Sequence, residues 1–182
     1  MAASRTYVAL LRGINLGACR RVQMTVLRAL LEERGHGDVA TYLQSGNVVL
    51  RSGLGAAALE TRLERELADG LGFDVDVLVR TGAELRAIVK RNPLAEIARD
   101  PTRYLVTFLR AKPDKALAAR LAALEPAPEQ VVAAGRELYS WHPGGIGRSP
   151  LAKQLLPKAL GGSASARNWR VVEHLCELAR GG

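Results

Sequence analysis

Strand-like and helix-like hydrophobic periods follow one another in a definite order from the start of this chain, and that order restricts the fold more than any other feature. Runs typical of strands occupy residues 7–11, 39–43, 48–50 and 75–79. Leucines at helical spacing predict helices over residues 25–33 and 56–71. The resulting βαββαβ order is that of a ferredoxin-like sheet, in which the first and third strands are central.

Details of these runs predict which faces are buried. The strand at residues 7–11 is apolar at every position, so we expect both of its faces to be covered. Val75, Val77 and Val79 alternate with polar residues, which predicts a half-buried strand. The first helix is expected to bury one face, formed by Val26, Leu27, Leu30 and Leu31.

The order of elements then partly restarts. Thr81 and Glu84 form a capping-box pattern for a short helix. A strand at residues 104–110 ends in an arginine, as residues 7–12 do, and a helix, a Pro-rich turn at residues 125–128 and a hairpin at residues 131–139 follow. Ser149 is expected to cap a helix that starts near Pro150, and a last helix is expected over residues 168–179.

We therefore predict an α+β fold of two ferredoxin-like halves, the second altered at its end and carrying extra C-terminal helices. The first half spans residues 1–80 and the second spans residues 81–182. No low-complexity tract separates them, which favours one compact unit with a shared core.

Composition narrows the class of protein. The chain has 182 residues and two cysteines, so a disulfide framework is not expected and the cytoplasm is the default compartment. It contains no apolar run long enough to span a membrane and no evident signal peptide, so no membrane association is expected.

The charge is unevenly distributed. The net charge is +8, and residues 1–31 and 138–172 contain no acid. Such stretches suggest a positive face that attracts an anionic partner, or simply a solvated surface. Nucleic acid is one such partner, through sequence-nonspecific phosphate contacts. Aromatic residues are too scarce for an open base-stacking platform.

Two short polar motifs lie at the ends of apolar runs: Arg12-Gly13-Ile14-Asn15 and Gln44-Ser45-Gly46-Asn47. In a ferredoxin-like sheet the end of the first strand lies beside the start of the third, so the motifs should converge. A planar guanidinium beside exposed backbone amides suits anion or amide recognition. The structural alternative is an arginine that pairs with a buried carboxylate or caps carbonyls, an asparagine that holds a turn, and a hairpin turn that needs positive φ at Gly46 and Asn47.

A third candidate lies near the C-terminus. The glycines and serines of residues 161–165 lead to Arg167 and Asn168, at the predicted start of the last helix. Helix-start amides, hydroxyls and an arginine make a plausible anion site, and a helix stop followed by an N-cap is the structural alternative. The Gly-rich residues 144–149 match neither nucleotide-binding fingerprint, which favours a flexible loop.

Residues for catalysis or metal binding are not grouped in the sequence. No cysteine and histidine spacing fits a zinc site, and neither His36 nor His142 has a ligand partner nearby in the chain. Ser45 lacks the nucleophile-elbow pattern, and no histidine is placed by sequence to activate it. We therefore predict no metal and no cofactor.

The chain resembles the family called domain of unknown function 1697. Residues 7–17, with the sequence YVALLRGINLG, resemble the family's opening signature, and Met24, TYLQSGNV at residues 41–48, Asn92-Pro93 and Arg167-Asn168-Trp169 resemble its later blocks in order. The resemblance implies an α+β fold of two intertwined ferredoxin-like halves and implies no activity. Ala18 replaces a usual glycine, and Arg170-Val171 replaces a usual Asn-Thr.

These observations favour a cytoplasmic protein that binds a small anionic or polar ligand where Arg12, Asn15, Ser45 and Asn47 meet. The alternatives are an enzyme that uses the same pocket on a small substrate, and a nonspecific nucleic-acid-associated basic protein. The candidate ligand-binding residues are Arg12, Gly13, Asn15, Gln44, Ser45, Gly46, Asn47, Arg167 and Asn168.

Overall fold

The computed structural model describes residues 4–15, 20–124 and 127–181. Its strands are β1 (Arg5–Arg12), β2 (Gly37–Tyr42), β3 (Asn47–Ser52), β4 (Asp76–Thr81), β5 (Tyr104–Leu109), β6 (Gln130–Ala134), β7 (Glu137–Trp141) and β8 (Ala164–Asn168). Its helices are α1 (Met24–Glu33), α2 (Ala56–Leu71), α3 (Gly82–Arg91), α4 (Lys115–Ala122), α5 (Pro150–Gln154) and α6 (Trp169–Leu178). Short 3₁₀ turns occupy Ile146–Arg148, Pro157–Leu160 and Ala179–Gly181.

The strands form two antiparallel four-stranded sheets with the same order. The first sheet runs β2-β3-β1-β4 and the second runs β6-β7-β5-β8. In the first, Ala9 of β1 pairs with Val48 of β3 on one side and with Val79 of β4 on the other. The predicted ferredoxin-like order is therefore confirmed, with the first and third strands at the centre.

The chain divides into two compact units. The first unit comprises residues 1–86 together with 175–182, and the second comprises residues 87–174. The C-terminal residues thus return to the unit that contains the N-terminal sheet.

In the first unit, the core forms between the sheet and the two helices α1 and α2. Residues 7–11 of β1 are at most 2% exposed, which confirms that both faces of this strand are covered. One face packs Tyr7, Ala9 and Leu11 against leucines of α1 and α2. The expected half-burial of the fourth strand is wrong, because Leu78 and Arg80 are buried as well as the valines. Val26 is also misplaced in the predicted helix face, since its side chain is 53% exposed.

Local capping signals match the predicted helix ends. Gly72 ends α2 with φ +77°, and Thr81 and Glu84 form the reciprocal capping box before α3. The Ser149 hydroxyl accepts a hydrogen bond from the Ala152 amide at 2.7 Å, as an N-cap does at the start of α5. The last helix begins at Trp169, whose ring stacks on Tyr104 with centroids 4.9 Å apart.

The second unit differs from the prediction near its end. Residues 164–167 were expected to lead as a loop into a helix starting at Asn168. Residues 164–168 instead form β8 and pair with β5 from Leu105↔Asn168 to Leu109↔Ala164. The fourth strand is therefore present, and the alteration lies in the crossover before it. A five-residue helix flanked by 3₁₀ turns stands where the first unit has the 16-residue α2. Two residues of the predicted Pro-rich turn, Glu125 and Pro126, lie outside the described residues.

Candidate functional site

Arg12, the last residue of β1, forms a cross-strand ion pair with Asp76, the first residue of β4. Nη1 lies 2.9 Å from Oδ2, and the two side chains are 42% and 45% exposed. The Asp76 carboxylate therefore already accepts a hydrogen bond from Nη1 of the Arg12 guanidinium. An exposed pair of this kind contributes about 0–1 kcal/mol, so Arg12 is not needed to hold the sheet together.

Asn15 links the loop after β1 to the turn between β2 and β3. Its Nδ2 donates to the Gln44 carbonyl at 2.6 Å, and its Oδ1 accepts from the Val22 amide at 2.8 Å. Its backbone has φ +54°, a conformation that asparagine tolerates better than most residues. Both atoms of the side-chain amide therefore hold the two loops in place, which is the structural alternative raised for this residue.

The turn from residue 43 to 46 meets the end of β1 directly. The Gly46 carbonyl accepts from the Leu11 amide at 2.8 Å. Gly46 has φ +78°, and a Cβ placed there would lie 2.7 Å from Cδ1 of Ile14 and 2.9 Å from Cβ of Leu11. The two motifs predicted to converge are therefore in contact. Positive φ falls at Gly46 and Leu43, and the expectation of positive φ at Asn47 is wrong.

Asn47 is fully buried as the first residue of β3. Its Nδ2 donates to the Tyr42 carbonyl at 2.7 Å and to Oγ of Ser45 at 3.0 Å. These bonds bridge the two ends of the turn. The exposed members of the motif are Gln44 and Ser45.

The C-terminal candidates lie in the second unit, on β8. Arg167 is 8% exposed, and its Nη1 donates to Oγ of Ser165 at 2.8 Å and to the Ala166 carbonyl at 2.9 Å. Burial lowers the pKa of Arg167 to about 10. Oδ1 of Asn168 accepts from the Val171 amide at 3.0 Å and so caps α6. Arg167 was predicted at the start of the last helix, and it lies instead on β8, where it bonds the Ser165 hydroxyl.

A cavity of about 620 Å³ opens at the end of β5 in the second unit. Its lining includes three basic residues, Arg110, Lys112 and Arg120, and the segment Gly161, Gly162 and Ser163 that precedes β8. Gly161 and Gly162 have φ +77° and +152°, so glycine is required for the backbone to turn here. Three residues of the predicted Gly- and Ser-rich anion site, Gly161 to Ser163, therefore form one wall of a basic cavity.

Charge and hydrogen bonding within this cavity favour an anion. Asp114, also in its lining, caps α4 by accepting from the Leu117 amide at 2.7 Å. Arg120 donates to the Ala159 carbonyl, which anchors the guanidinium to the opposite wall. Among the residues that the structure describes, the Lys112 ammonium and the Ser163 hydroxyl make no hydrogen bond and are directly available.

The two sheets have different side chains across from the arginine at the end of β1 and the arginine after β5. Arg12 is the last residue of β1, and Arg110 directly follows β5. Asp76 pairs with Arg12, whereas Ser163 stands one residue beyond the last pair, Leu109↔Ala164, of the second sheet. A neutral hydroxyl thus stands where the first unit has the Asp76 carboxylate.

Sequence reasoning missed the basic lining of the cavity. Arg110, Lys112 and Arg120 are exposed residues on a strand end, a loop and a helix. The sequence offered one sign of this lining, since the strand-like runs at residues 7–12 and 104–110 both end in an arginine. Within the described residues no group of three metal-ligating side chains occurs, and no helix is both long and apolar enough to cross a membrane.

Comparisons with known proteins agree with the fold. The chain is similar to the conserved bacterial protein SP0830 from Streptococcus pneumoniae, whose solved structure has a TM-score of 0.77 at 23% identity and covers 97% of this chain and 99% of that chain. No curated protein matches the sequence. The model of the family described as protein of unknown function (DUF1697) matches residues 4–139, and the chain therefore belongs to that family.

Proposed function

We propose that this protein binds a small anionic ligand in the basic cavity of its second unit. The observation that carries the proposal is the set of Arg110, Lys112 and Arg120 around the Gly161–Ser163 wall. Hydrogen bonds from charged donors to an anion are shorter and stronger than neutral ones. The available Lys112 ammonium supplies one such charged donor and the Ser163 hydroxyl a neutral one, and neither has to give up a hydrogen bond within the described residues.

The loop cluster of the first unit is the second proposed location. Arg12, Gln44 and Ser45 would contact a polar or anionic ligand, whereas Gly13, Asn15, Gly46 and Asn47 shape the loops that present them. Asp76 already neutralises Arg12 at 2.9 Å, so an anion there has to compete with a carboxylate of the protein. The cavity of the second unit is preferred because the Lys112 ammonium in its lining makes no hydrogen bond within the part of the chain that the structure describes. Arg167 and Asn168 hold β8 and α6 and are left out of the proposed contact set.

A charge reversal with a matched control tests the proposed cavity. Lys112→Glu replaces a cation in the lining, and Lys115→Glu makes the same change at the exposed first residue of α4, outside the lining. Pyrophosphate titrated at low ionic strength should raise the melting temperature of the wild type and of Lys115→Glu. A ligand at 100 times its Kd stabilises by about 2.7 kcal/mol, and this gain should vanish in Lys112→Glu.

Isothermal titration calorimetry supplies the dissociation constants for the same three proteins. Equal loss of affinity in both variants would mean that net charge alone attracts the anion, and it would contradict a built site. An unchanged Kd in Lys112→Glu would remove the cavity from consideration and leave the Arg12 cluster as the candidate.

A further inference from the structure

A buried chain of hydrogen bonds in the second unit joins a serine, a histidine and a carboxylate. His142 follows β7 and is 0% exposed. Its Nε2 lies 2.9 Å from Oγ of Ser140, and its Nδ1 lies 3.1 Å from Oε1 of Glu129. A nucleophile within hydrogen-bond reach of a base, which is itself oriented by a third group, is the arrangement that activates a hydroxyl.

The start of α5 holds the far end of this chain in position. Oε2 of Glu129 accepts from the Leu151 amide at 3.0 Å. Ser149, the N-cap of α5, lies 2.8 Å from Nδ1 of His142 and also hydrogen bonds to Glu129. These contacts place the carboxylate opposite Nδ1.

The charge of Glu129 determines which nitrogen of His142 is free to act as a base. Burial raises the pKa of Glu129, but hydrogen bonds from Ser149, the Leu151 amide and His142 outweigh it and hold the pKa below its usual value. An ionised Glu129 accepts the proton on Nδ1, so the hydrogen-bond network assigns Nε2 as the acceptor of the Ser140 hydroxyl.

Ser140 and His142 line a small cavity that is otherwise largely apolar. Its volume is about 160 Å³, and Leu105, Leu155 and Ala164 contribute to its walls. Two further lining residues, Ile146 and Leu156, are 37% and 55% exposed. The cavity thus has an apolar border at the surface and a Ser-His pair inside. A site of about 150 Å³ holds one benzene, so this one fits a short acyl chain.

We infer that Ser140 is the nucleophile of an ester-hydrolysing site, with His142 as general base and Glu129 as the residue that positions it. Oγ of Ser140 attacks the ester carbonyl carbon while its proton passes to Nε2 of His142. The bond to the leaving alcohol then breaks, and the alcohol takes that proton. Water gives a proton to Nε2 as it attacks the acyl group on Ser140, and release of the carboxylic acid returns the proton to Oγ.

The volume of the cavity limits the substrate to esters of short acyl groups. The apolar walls favour a short aliphatic acyl group, and the anion-binding cavity beside Arg110 is lined by different residues. This inference therefore does not depend on the proposed function. Thr107, which also lines the cavity, carries a hydroxyl that can donate to the substrate oxygen.

Hydrolysis of p-nitrophenyl acetate, butyrate and octanoate by the full chain tests the site. We expect turnover of acetate and butyrate well above that of octanoate, and a fall of at least about 100-fold in Ser140→Ala. Ser165→Ala is the matched control. Ser165 is a buried serine of β8 that bonds Arg167, and it lies between the lining residues Ala164 and Ala166. The esterase activity of Ser165→Ala should equal that of the wild type.

Covalent labelling gives a second readout that does not require turnover. Methanesulfonyl fluoride should add one methylsulfonyl group per chain, with loss of fluoride, and peptide mass spectrometry should place it on Ser140. Ser140→Cys retains a nucleophile and serves if Ser140→Ala fails to fold. Folded wild type that neither hydrolyses any of the three esters nor takes up the label would overturn the inference, as would undiminished labelling of folded Ser140→Ala.

Discussion

At Gly46 both the backbone and the packing exclude a side chain. The residue combines φ +78° with a hypothetical Cβ 2.7 Å from the Ile14 side chain. The left-handed conformation costs about 1–2 kcal/mol for a residue with a Cβ, and overpacking costs about 1–3 kcal/mol more. This glycine therefore serves to bring the turn onto the end of β1.

We expect Gly46→Ala to lower the free energy of unfolding by about 2–5 kcal/mol, the sum of these two costs. Gly35→Ala is the control, because Gly35 has φ +83° but nothing within 4 Å of its Cβ position. Gly35→Ala should lower the free energy of unfolding by only about 1–2 kcal/mol. Urea denaturation of the three proteins measures the difference, and equal losses would show that the contact with Ile14 relaxes at no cost.

At the scale of the elements, a set of hydrogen bonds around the buried Glu66 side chain connects the end of α1 to α2. Glu66 of α2 accepts from Nε2 of His36 at 2.6 Å and from Nε of Arg62 at 2.7 Å. Arg62 also donates to the Arg34 carbonyl at 2.9 Å, next to the end of the first helix. Burial raises the pKa of Glu66, but the hydrogen bonds and charges of Arg62 and His36 outweigh it and hold the pKa below its usual value.

The sign of the pH dependence follows from this lowered pKa. A carboxylate whose pKa is lower in the folded state contributes stability above its unfolded pKa and loses it as the pH falls through the folded value. We expect Glu66→Gln to be less stable than wild type by about 1–3 kcal/mol at pH 7, and the difference should shrink below about pH 4.5. Urea denaturation at pH 7, 5, 4 and 3 measures it.

Glu32→Gln is the control for this pH series. Glu32 forms an i,i+4 pair with Arg28 whose side chains are 45% and 58% exposed, so the change should cost less than about 1 kcal/mol. A constant difference between Glu66→Gln and wild type across the series would show that shape, and not charge, accounts for the loss.

At the scale of the whole molecule, the C-terminal residues belong to the unit that contains the first sheet. Residues 175–182 are grouped with residues 1–86, and the final 3₁₀ turn contacts β1. Within that turn Ala179 is 1% exposed, whereas Arg180 is exposed. The end of the chain is therefore part of the core of the first unit.

We expect Ala179→Glu to destabilise the first unit, because burial of an unpaired carboxylate is costly. Hydrogen exchange followed by mass spectrometry should show faster exchange in peptides of β1 and β3. Arg180→Glu changes charge at the neighbouring exposed position and should leave exchange in these strands unchanged. Wild-type exchange rates in Ala179→Glu would contradict the assignment of the C-terminal residues to this core.

Most helices and strands were predictable because their signals are local. Hydrophobic spacing predicted the bounds of α2, and Ser149 and Thr81 predicted helix starts through hydrogen bonds to residues three positions away. β8 was missed because Ala-Ser-Ala-Arg-Asn has little strand propensity of its own. Pairing with β5, some 60 positions earlier in the chain, makes it a strand.

The sequence by itself determined the order of elements in the first sheet, the central place of β1 and the convergence of the two polar motifs, since periodicity and ferredoxin-like topology together imply them. Only the tertiary structure decided how the polar side chains are used. Asn15 and Asn47 hold loops; Lys112 and Ser163 line a basic cavity. His142 lies between Ser140 and Glu129. The physical reason is that hydrogen-bond partners and cavity walls come from residues far apart in the chain, and packing alone brings them within reach.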